Sequence, residues 1–176
     1  MTDPAPAPAP APTVTPTLKT KFLSHGTLES KDLEFTRRFY TEFLGLEVIR
    51  TSKVSIWARL GGQRIIVVVQ STGKAKETMP FLNHNGLDVR TDEEVDHCHE
   101  IVTRDAERWG LTKITKPRLQ HGTYCFYFWD GDENCWEILS NPEGGYSWMF
   151  ERGDQTGAGH MAKGFARPTQ DGPKES

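Results

Sequence analysis

Two copies of one order of secondary-structure elements run through the sequence, and this repeat constrains the fold more than any other feature. In each copy the pattern of apolar residues predicts a strand, a helix and then three strands. The copies align with His25 on His84, 59 residues apart, and with Gly61 on Gly131, 70 residues apart. An insertion in the helix and connection of the second copy accounts for the difference. The sequence therefore predicts two βαβββ modules, at about residues 20–75 and 80–142.

The first module begins with a predicted strand in "KFLSHGTLES". Asp32 is placed to cap a helix whose apolar side chains recur at helical spacing and which ends at Gly45. Three predicted strands follow in "LEVIR", "VSIWARL" and "RIIVVVQ", and Gly61 with Gly62 turns the last hairpin.

The second module repeats this order. "FLNHNGLDV" predicts a strand, and Thr91 with Glu94 predicts a capping box that opens a helix ending at Gly110. The predicted strands that follow are "LTKITKP", "TYCFYFWD" and "CWEILSN".

The 176 residues are enough for one sizeable core, so we expect a single domain over residues 20–150. Residues 1–19 are rich in Pro and Ala and predict a disordered tether, and residues 151–176 predict a mostly disordered tail. Between domain and tail, the aromatic residues 144–150 should pack on the domain or over the mouth of a pocket.

Charge and cysteine content exclude several function classes. The net charge of −3 provides no field that would hold nucleic acid or an anionic membrane, so small-molecule chemistry or protein contact remains. No segment has the signature of a secretory leader or a membrane span, and we expect a cytoplasmic protein. The three cysteines lack CxxC spacing, which predicts reduced thiols rather than disulfides or a thiolate zinc site.

One carboxylate lies in an apolar strand and calls for a partner. Glu137 is flanked by Cys135, Trp136 and Ile138, and an unpaired carboxylate in such a strand costs several kcal/mol. His25 and His84 occupy matching positions on the first strands of the two modules. If each module curls its sheet, these three side chains project into one trough and predict a site for a divalent metal with open positions for substrate.

Each residue of this set also has a structural interpretation. A histidine near a strand start is commonly a hydrogen-bonding residue, and a strand glutamate is commonly solvated or paired with Lys or Arg. The coincidence of two histidines at matched positions with a glutamate in an apolar strand favours the metal site.

These motifs resemble the vicinal oxygen chelate superfamily, which includes glyoxalases, bleomycin-resistance proteins and extradiol dioxygenases. The opening "LSHGTLESKDLEFTRRFYTEFLGLEV" is similar to the superfamily's histidine strand and following helix, and "FYFWDGDENCWEI" is similar to its closing turn and ligand strand. The resemblance implies an α+β fold of two paired βαβββ modules that form a curved mixed sheet around a metal cavity. It also implies His25, His84 and Glu137 as the metal ligands.

Two departures from the family pattern bear on the expected reaction. The closing turn has Gly131 second and Glu133 fourth, where the family usually has Pro and Gly, so the hairpin should be wider or differently twisted. Glyoxalase I has a fourth ligand, a glutamate, whose counterpart here is Val67. The resemblance therefore favours the extradiol dioxygenases and the fosfomycin-modifying enzymes, which use two His and one Glu, over glyoxalase.

For an extradiol enzyme the resemblance implies Fe(II), or next Mn(II), with a small catechol-like or vicinal diol substrate and dioxygen. It assigns catalytic roles to Tyr127, ten residues before Glu137, and to His121, although packing of Tyr127 and solvent exposure of His121 are equally open. An imidazole suits proton transfer and a phenol suits hydrogen bonding to a developing oxyanion. Apolar walls could come from Trp57, Phe126, Trp129 and Tyr146.

Two alternatives stay open. One is a metal-dependent lyase, isomerase or thiol transferase of glyoxalase type, with Ni(II) or Zn(II). The other is a non-catalytic, drug-binding protein of bleomycin-resistance type, which the three ligand residues argue against. The resemblance also implies a homodimer.

Overall fold

A computed structural model describes residues 17, 18, 20–71, 77–120, 122–162 and 165–168. It confirms the predicted α+β class and the two βαβββ modules. The first module contains β1 (His25–Ser30), α1 (Leu33–Arg38), β2 (Glu47–Ser52), β3 (Ser55–Arg59) and β4 (Ile65–Gln70). The second contains β5 (Asn85–Val89), α2 (Asp92–Arg104), α3 (Ala106–Trp109), β6 (Arg118–Gln120), β7 (Thr123–Trp129) and β8 (Cys135–Ser140).

Both predicted helix starts are confirmed. The Asp32 side chain accepts hydrogen bonds from the backbone N–H groups of Glu34 and Phe35 at the start of α1, and a π-helical turn, Phe39–Phe43, continues this helix. The Thr91 hydroxyl accepts from the Glu94 N–H at the start of α2. These bonds satisfy N–H groups that a helix start leaves without partners.

Each module forms its own four-stranded mixed sheet, with strand order β1-β4-β3-β2 in the first and β5-β8-β7-β6 in the second. In the first sheet Val67 is opposite Thr27 and Trp57, and in the second Glu137 is opposite Gly86 and Tyr127. Because His25 lies two residues before Thr27 and His84 two residues before Gly86, this register confirms the alignment of the repeats.

One hydrophobic core joins the modules. The inner face of the first sheet contributes Leu28, Ile56 and Val68, and that of the second contributes Phe126, Phe128, Trp136 and Ile138. Between the modules, Tyr40 meets Trp136 edge-on with ring centroids 5.4 Å apart. The opposite faces of the two sheets point away from this core, and we call them the first and second outer faces.

The unusual closing turn of the second module ties it to the first. Asp130 is almost completely buried, and its carboxylate accepts hydrogen bonds from the backbone N–H of Asp132 and from the Trp136 indole. Asp132 in turn accepts from the Lys31 backbone N–H at 2.7 Å and from the Thr36 hydroxyl. The predicted difference in the turn is accompanied by a left-handed backbone at Glu133, with φ of 62°.

Two segments differ from the predicted strands. Residues Phe81–Asn83 form a single 3₁₀ turn, closed by a bond from the Asn83 N–H to the Pro80 carbonyl, so β5 begins only after His84. In the predicted strand "LTKITKP", Thr112 pairs with Trp129, but the positive φ of Lys113 interrupts the extended backbone. The following Pro117 has no N–H to donate, and β6 starts beyond it.

The aromatic segment after β8 forms α4 (Ser147–Arg152), and part of the predicted disordered tail makes contacts. The Phe165 and Trp148 ring centroids are 6.1 Å apart, and the Arg167 guanidinium bonds to the Asp92 carboxylate and the Ser140 carbonyl. These contacts hold residues 165–168 against the second module. No helix among the described residues has the length and apolar character to span a membrane.

Candidate metal centre

Two of the predicted ligands meet on the second outer face. Alternation along β8 turns Glu137 away from the core, while Trp136 and Ile138 point into it. His84 directly precedes β5, the strand that pairs with β8. Its Nε2 atom lies 3.2 Å from the Glu137 Oε2 atom. The partner of the buried carboxylate is therefore this imidazole.

Glu137 is nearly enclosed, with 6% of its surface exposed, and three side chains compensate for that burial. Burial alone would raise the pKa of Glu137, but hydrogen bonds from His84, Tyr127 and Cys125 outweigh it and lower the pKa. The carboxylate is therefore ionised at neutral pH.

The turn before β5 orients the His84 ring. The Nδ1–H group donates to the Phe81 carbonyl at 2.7 Å, which leaves Nε2 directed at Glu137. The bond to Glu137 raises the pKa of His84, partial burial opposes the rise, and the Phe81 carbonyl adds to it. A backbone carbonyl on the far ring nitrogen is the usual support for a metal-binding histidine.

Tyr127 supports the carboxylate from the neighbouring strand. Its hydroxyl donates to Glu137 Oε1 at 2.7 Å and accepts from the Gln120 amide at 2.7 Å. Burial and the bond to Glu137 raise the pKa of Tyr127, so the phenol stays protonated and acts as a donor. The Phe81 ring packs edge-on against the Tyr127 ring, with centroids 4.5 Å apart.

Two thiols on the same face remain protonated. Burial and then the hydrogen bond to Glu137 raise the pKa of Cys125 to about 11. Burial and then the charge of Glu137 raise the pKa of Cys135 to about 12. The Cys125 Sγ atom lies 3.7 Å from the Tyr127 hydroxyl. Both are reduced, in agreement with the sequence prediction.

Gly86 leaves room for the carboxylate. A Cβ atom at this position would lie 3.0 Å from the Leu139 Cδ2 atom and 3.6 Å from Glu137 Oε2. A side chain here would therefore press on the residues that hold Glu137 in place.

The third predicted ligand lies apart from this pair. His25 is exposed on the first outer face, where its ring bonds to the Ser24 hydroxyl at 2.8 Å. Within the residues that the structure describes, no three His, Cys, Asp or Glu side chains form a group that could hold a metal ion. One chain thus brings together His84 and Glu137 but not His25.

The other predicted site residues are divided between several environments. His121 lies outside the described residues. Trp129 lies on the second outer face and donates from its indole to the Met79 carbonyl, and Trp57 lies on the first outer face. Phe126 was expected as a pocket wall, but it points into the shared core because its position on β7 alternates with that of Tyr127.

Within residues 144–150, Tyr146 lies close enough to the second outer face to be affected by the charge of Glu137. Partial burial raises the pKa of Tyr146, and the charge of Glu137 contributes to the rise. Trp148 is buried in this segment.

Sequence reasoning did not single out Phe81, Gly86 and Gln120 as site residues. Gly86 carried the one usable signal, because a glycine inside a strand commonly marks a close approach. The roles of the Phe81 carbonyl and the Gln120 amide depend on tertiary contacts that sequence spacing does not reveal.

Comparison with solved structures matches this arrangement to a known fold. A possible glyoxalase from Bacillus cereus is 20% identical with a TM-score of 0.55, covering 68% of this chain and 99% of its own. The fosfomycin resistance protein FosX from Listeria monocytogenes is 25% identical with a TM-score of 0.54, covering 76% of this chain and 98% of its own. The chain has the vicinal oxygen chelate fold.

A further vicinal oxygen chelate structure shows a metal complex. A FosX variant from Listeria monocytogenes, complexed with Mn(II) and 1S,2S-dihydroxypropylphosphonic acid, is 23% identical with a TM-score of 0.51. It covers 68% of this chain and 89% of its own. No protein-family model and no curated protein matches the chain.

Proposed function

We propose that the protein is a divalent-metal-dependent enzyme for small substrates with two adjacent oxygen atoms, and that its reaction is extradiol ring cleavage. The observation that carries this proposal is the pair of His84 Nε2 and Glu137 Oε2, 3.2 Å apart on a buried and otherwise largely apolar face. Tyr127 donates to the other oxygen of the same carboxylate.

The donor set fits a divalent cation. Two ligand atoms about 2.1 Å from one ion are about 3 Å apart in adjacent positions, close to the separation seen here. The Phe81 carbonyl and the Tyr127 hydroxyl occupy the supporting positions that orient ligating imidazole and carboxylate groups. Oxygen and nitrogen ligands of this kind suit Fe(II), our first choice, and Mn(II), our second.

His25 of a second copy would complete the site. His25 is exposed on the first outer face, beside the half-exposed side chains of Trp57 and Ile49. This apolar surface has no cover among the described residues. A two-fold symmetric dimer that places the first outer face of one copy on the second outer face of the other would create two identical sites of three ligands each.

A divalent cation held by His84 and Glu137 would supply chelation of the two catechol oxygens and activation of dioxygen. The Tyr127 hydroxyl would orient Glu137 and donate to a developing oxyanion on the substrate. His121 would accept a proton from the catechol and return it to the product, a role that suits an imidazole titrating near neutrality. Phe81 and Trp129 would exclude water from the substrate.

Metal analysis and oxygen uptake test the reaction. Protein purified without added metal should contain iron, or after reconstitution bind Fe(II) or Mn(II), and should consume oxygen only when a catechol is present. Metal without catechol-dependent oxygen uptake would refute ring cleavage. Absence of metal binding and turnover would favour a non-catalytic binding protein.

Mixed chains test the shared site. His25→Ala and Glu137→Gln should each be inactive alone. If the two variants are unfolded together and refolded, about half of the dimers should contain one copy of each variant. Each mixed dimer has one intact site and one site that lacks two ligands. About a quarter of all sites should therefore regain activity. If all three ligands came from one chain, mixing would restore nothing.

Lewis-acid chemistry without oxygen is the second candidate. The Mn(II) complex of the FosX variant with a dihydroxypropylphosphonic acid favours it, because that ligand also has two adjacent oxygens. Turnover of a chelating substrate under anaerobic conditions, with no oxygen consumed in air, would support this candidate instead of ring cleavage.

A further inference from the structure

Among the described residues, a buried side-chain oxygen at the end of β8 has no hydrogen-bond partner. Asn141 is 6% exposed, and its Oδ1 atom is buried without a donor among the described residues. Its amide nitrogen is engaged: partial burial raises the pKa of Asp88 and Tyr146, and hydrogen bonds from Asn141 oppose the rise in both. An unsatisfied buried acceptor is uncommon in folded proteins and indicates a missing donor.

Asn141 lines a cavity of about 740 Å³. The cavity lies where β5 and β8 end and α2 begins, and its polar wall includes Asp88, Arg90, Thr91, Glu94, Asn141 and Glu143. This volume falls within the range of small-molecule sites.

The wall has an excess of negative charge. Arg90 is bonded to Glu94, with its Nε atom 3.5 Å from the carboxylate. Among the residues described, no cation forms an ion pair with Asp88 or Glu143, the two other carboxylates of the wall. The Asp88 carboxylate accepts from Asn141, whose backbone N–H lies 2.9 Å from the Asp88 Oδ1 atom and whose side chain also donates. The wall therefore has more carboxylates than cationic side chains.

The cavity wall includes one residue, Asp88, of the outer face that holds the His84 and Glu137 pair. Asp88 lies two residues beyond Gly86 on β5, on the same face, and Gly86 is opposite Glu137. Two residues along a strand span about 7 Å. Asp88 therefore lies within the length of one small molecule from the strand position opposite Glu137.

We propose that this cavity binds a protonated amino group, held by the Asn141 Oδ1 atom and the Asp88 carboxylate. The inference rests on the proposed function and narrows its substrate class to small molecules with two adjacent oxygens at one end and an ammonium group at the other. The orphaned oxygen then gains its donor, and the ammonium charge meets the unpaired carboxylate.

Matched catechols test this inference on the metal-loaded protein. Aminoethylcatechol should bind about tenfold more tightly than ethylcatechol, because one charge-assisted hydrogen bond has that effect. Asp88→Asn and Asn141→Leu should each remove most of this preference and leave the affinity for ethylcatechol unchanged. Calorimetric titration measures both affinities. Equal affinity of the unaltered protein for the two catechols would overturn the proposal.

A control variant separates a local site from general charge. Glu100 is an exposed carboxylate on α2 outside the cavity, and Glu100→Gln removes the same charge as Asp88→Asn. It should keep the full preference. An equal loss in Glu100→Gln and Asp88→Asn would refute the site. Thermal unfolding of each variant checks folding, and Asp88→Asn decides the test if Asn141→Leu is unfolded.

Phenethylammonium tests the cavity without metal. In metal-free protein it should shift the side-chain amide resonances of Asn141, whereas neutral phenylethanol should not. If phenethylammonium shifts these resonances but catechol binding does not depend on metal, the proposed function is refuted and the amine site in the cavity is supported. If ethylcatechol binding depends on metal but aminoethylcatechol binds no more tightly, the amine site is refuted and the proposed function is supported.

Discussion

The two outer faces have the same strand register, but the second is largely buried and the first is largely exposed. The matched pairs are His25 with His84, Thr27 with Gly86, Val67 with Glu137 and Trp57 with Tyr127. On the second face Tyr127 and Glu137 are buried, whereas on the first Trp57 is 43% exposed and His25 is open to solvent. A repeat of topology thus does not imply a repeat of chemistry.

The connection between the modules explains much of this difference. Residues 77–84 pass over the second outer face, where Met79 and Phe81 pack against its apolar cluster. The same connection supplies the carbonyl that orients His84. The first outer face lacks such a cover among the described residues, so its histidine is available to another copy.

The largest expected effect comes from the residue that distinguishes the second face. Glu137→Gln keeps the shape of the side chain but removes the charge that a cation requires. We expect metal affinity to fall by about a hundredfold or more, with loss of turnover. Metal content after dialysis and catechol-dependent oxygen uptake measure the two effects. Glu100→Gln serves as the charge-matched control, and full metal content in Glu137→Gln would remove this residue from the site.

An intermediate effect should come from a substitution that weakens the proposed contact between the first outer face and a second copy. Trp57→Glu introduces a charge into the exposed apolar surface, and we expect the dimer dissociation constant to rise about tenfold to a hundredfold. The folding stability of one chain should change little, because Trp57 lies outside the core. Sedimentation equilibrium and thermal unfolding measure these quantities.

Val54→Glu provides the matched control for this variant. Val54 is 54% exposed in the turn between β2 and β3, outside the proposed interface. It should leave the dimer intact. Unchanged association in Trp57→Glu would mean that the first outer face does not bind a second copy.

Local patterns were sufficient to predict much of the fold. Apolar alternation predicted the repeated strand order, and the caps at Asp32 and Thr91 predicted both helix starts. The predicted equivalence of Val67 and Glu137 agrees with the observed register. The helix caps depend on side chains that are near one another in sequence. The strand order depends on an apolar alternation that occurs in both modules.

Features that depend on distant contacts were not predictable in this way. Pro80 turns residues 81–83 out of the predicted strand, and the resulting contact between Phe81 and Tyr127 forms only when the second sheet is complete. Alternation along β7 predicted that Tyr127 and Phe126 point to opposite faces of the sheet. No sequence pattern indicated which of these faces the connection between the modules would cover. The separation of His25 from His84 similarly depends on how the two sheets pack.

The smallest of these effects should come from Tyr127→Phe. This variant tests whether the Tyr127 hydroxyl contributes to the second outer face in addition to the packing of its ring. The substitution leaves the Glu137 Oε1 atom and the Gln120 amide without their 2.7 Å partner, at a cost of about 1–3 kcal/mol in the free energy of unfolding. Metal affinity should fall about tenfold, because a supporting bond to a ligand is lost. Tyr124→Phe is the matched control. Among the described residues the Tyr124 hydroxyl bonds only to Asp96, near the surface, so its loss should cost well under about 1 kcal/mol. Denaturant unfolding and metal titration measure both variants. Equal losses of metal affinity in the two would show that Tyr127 packs on this face without positioning Glu137.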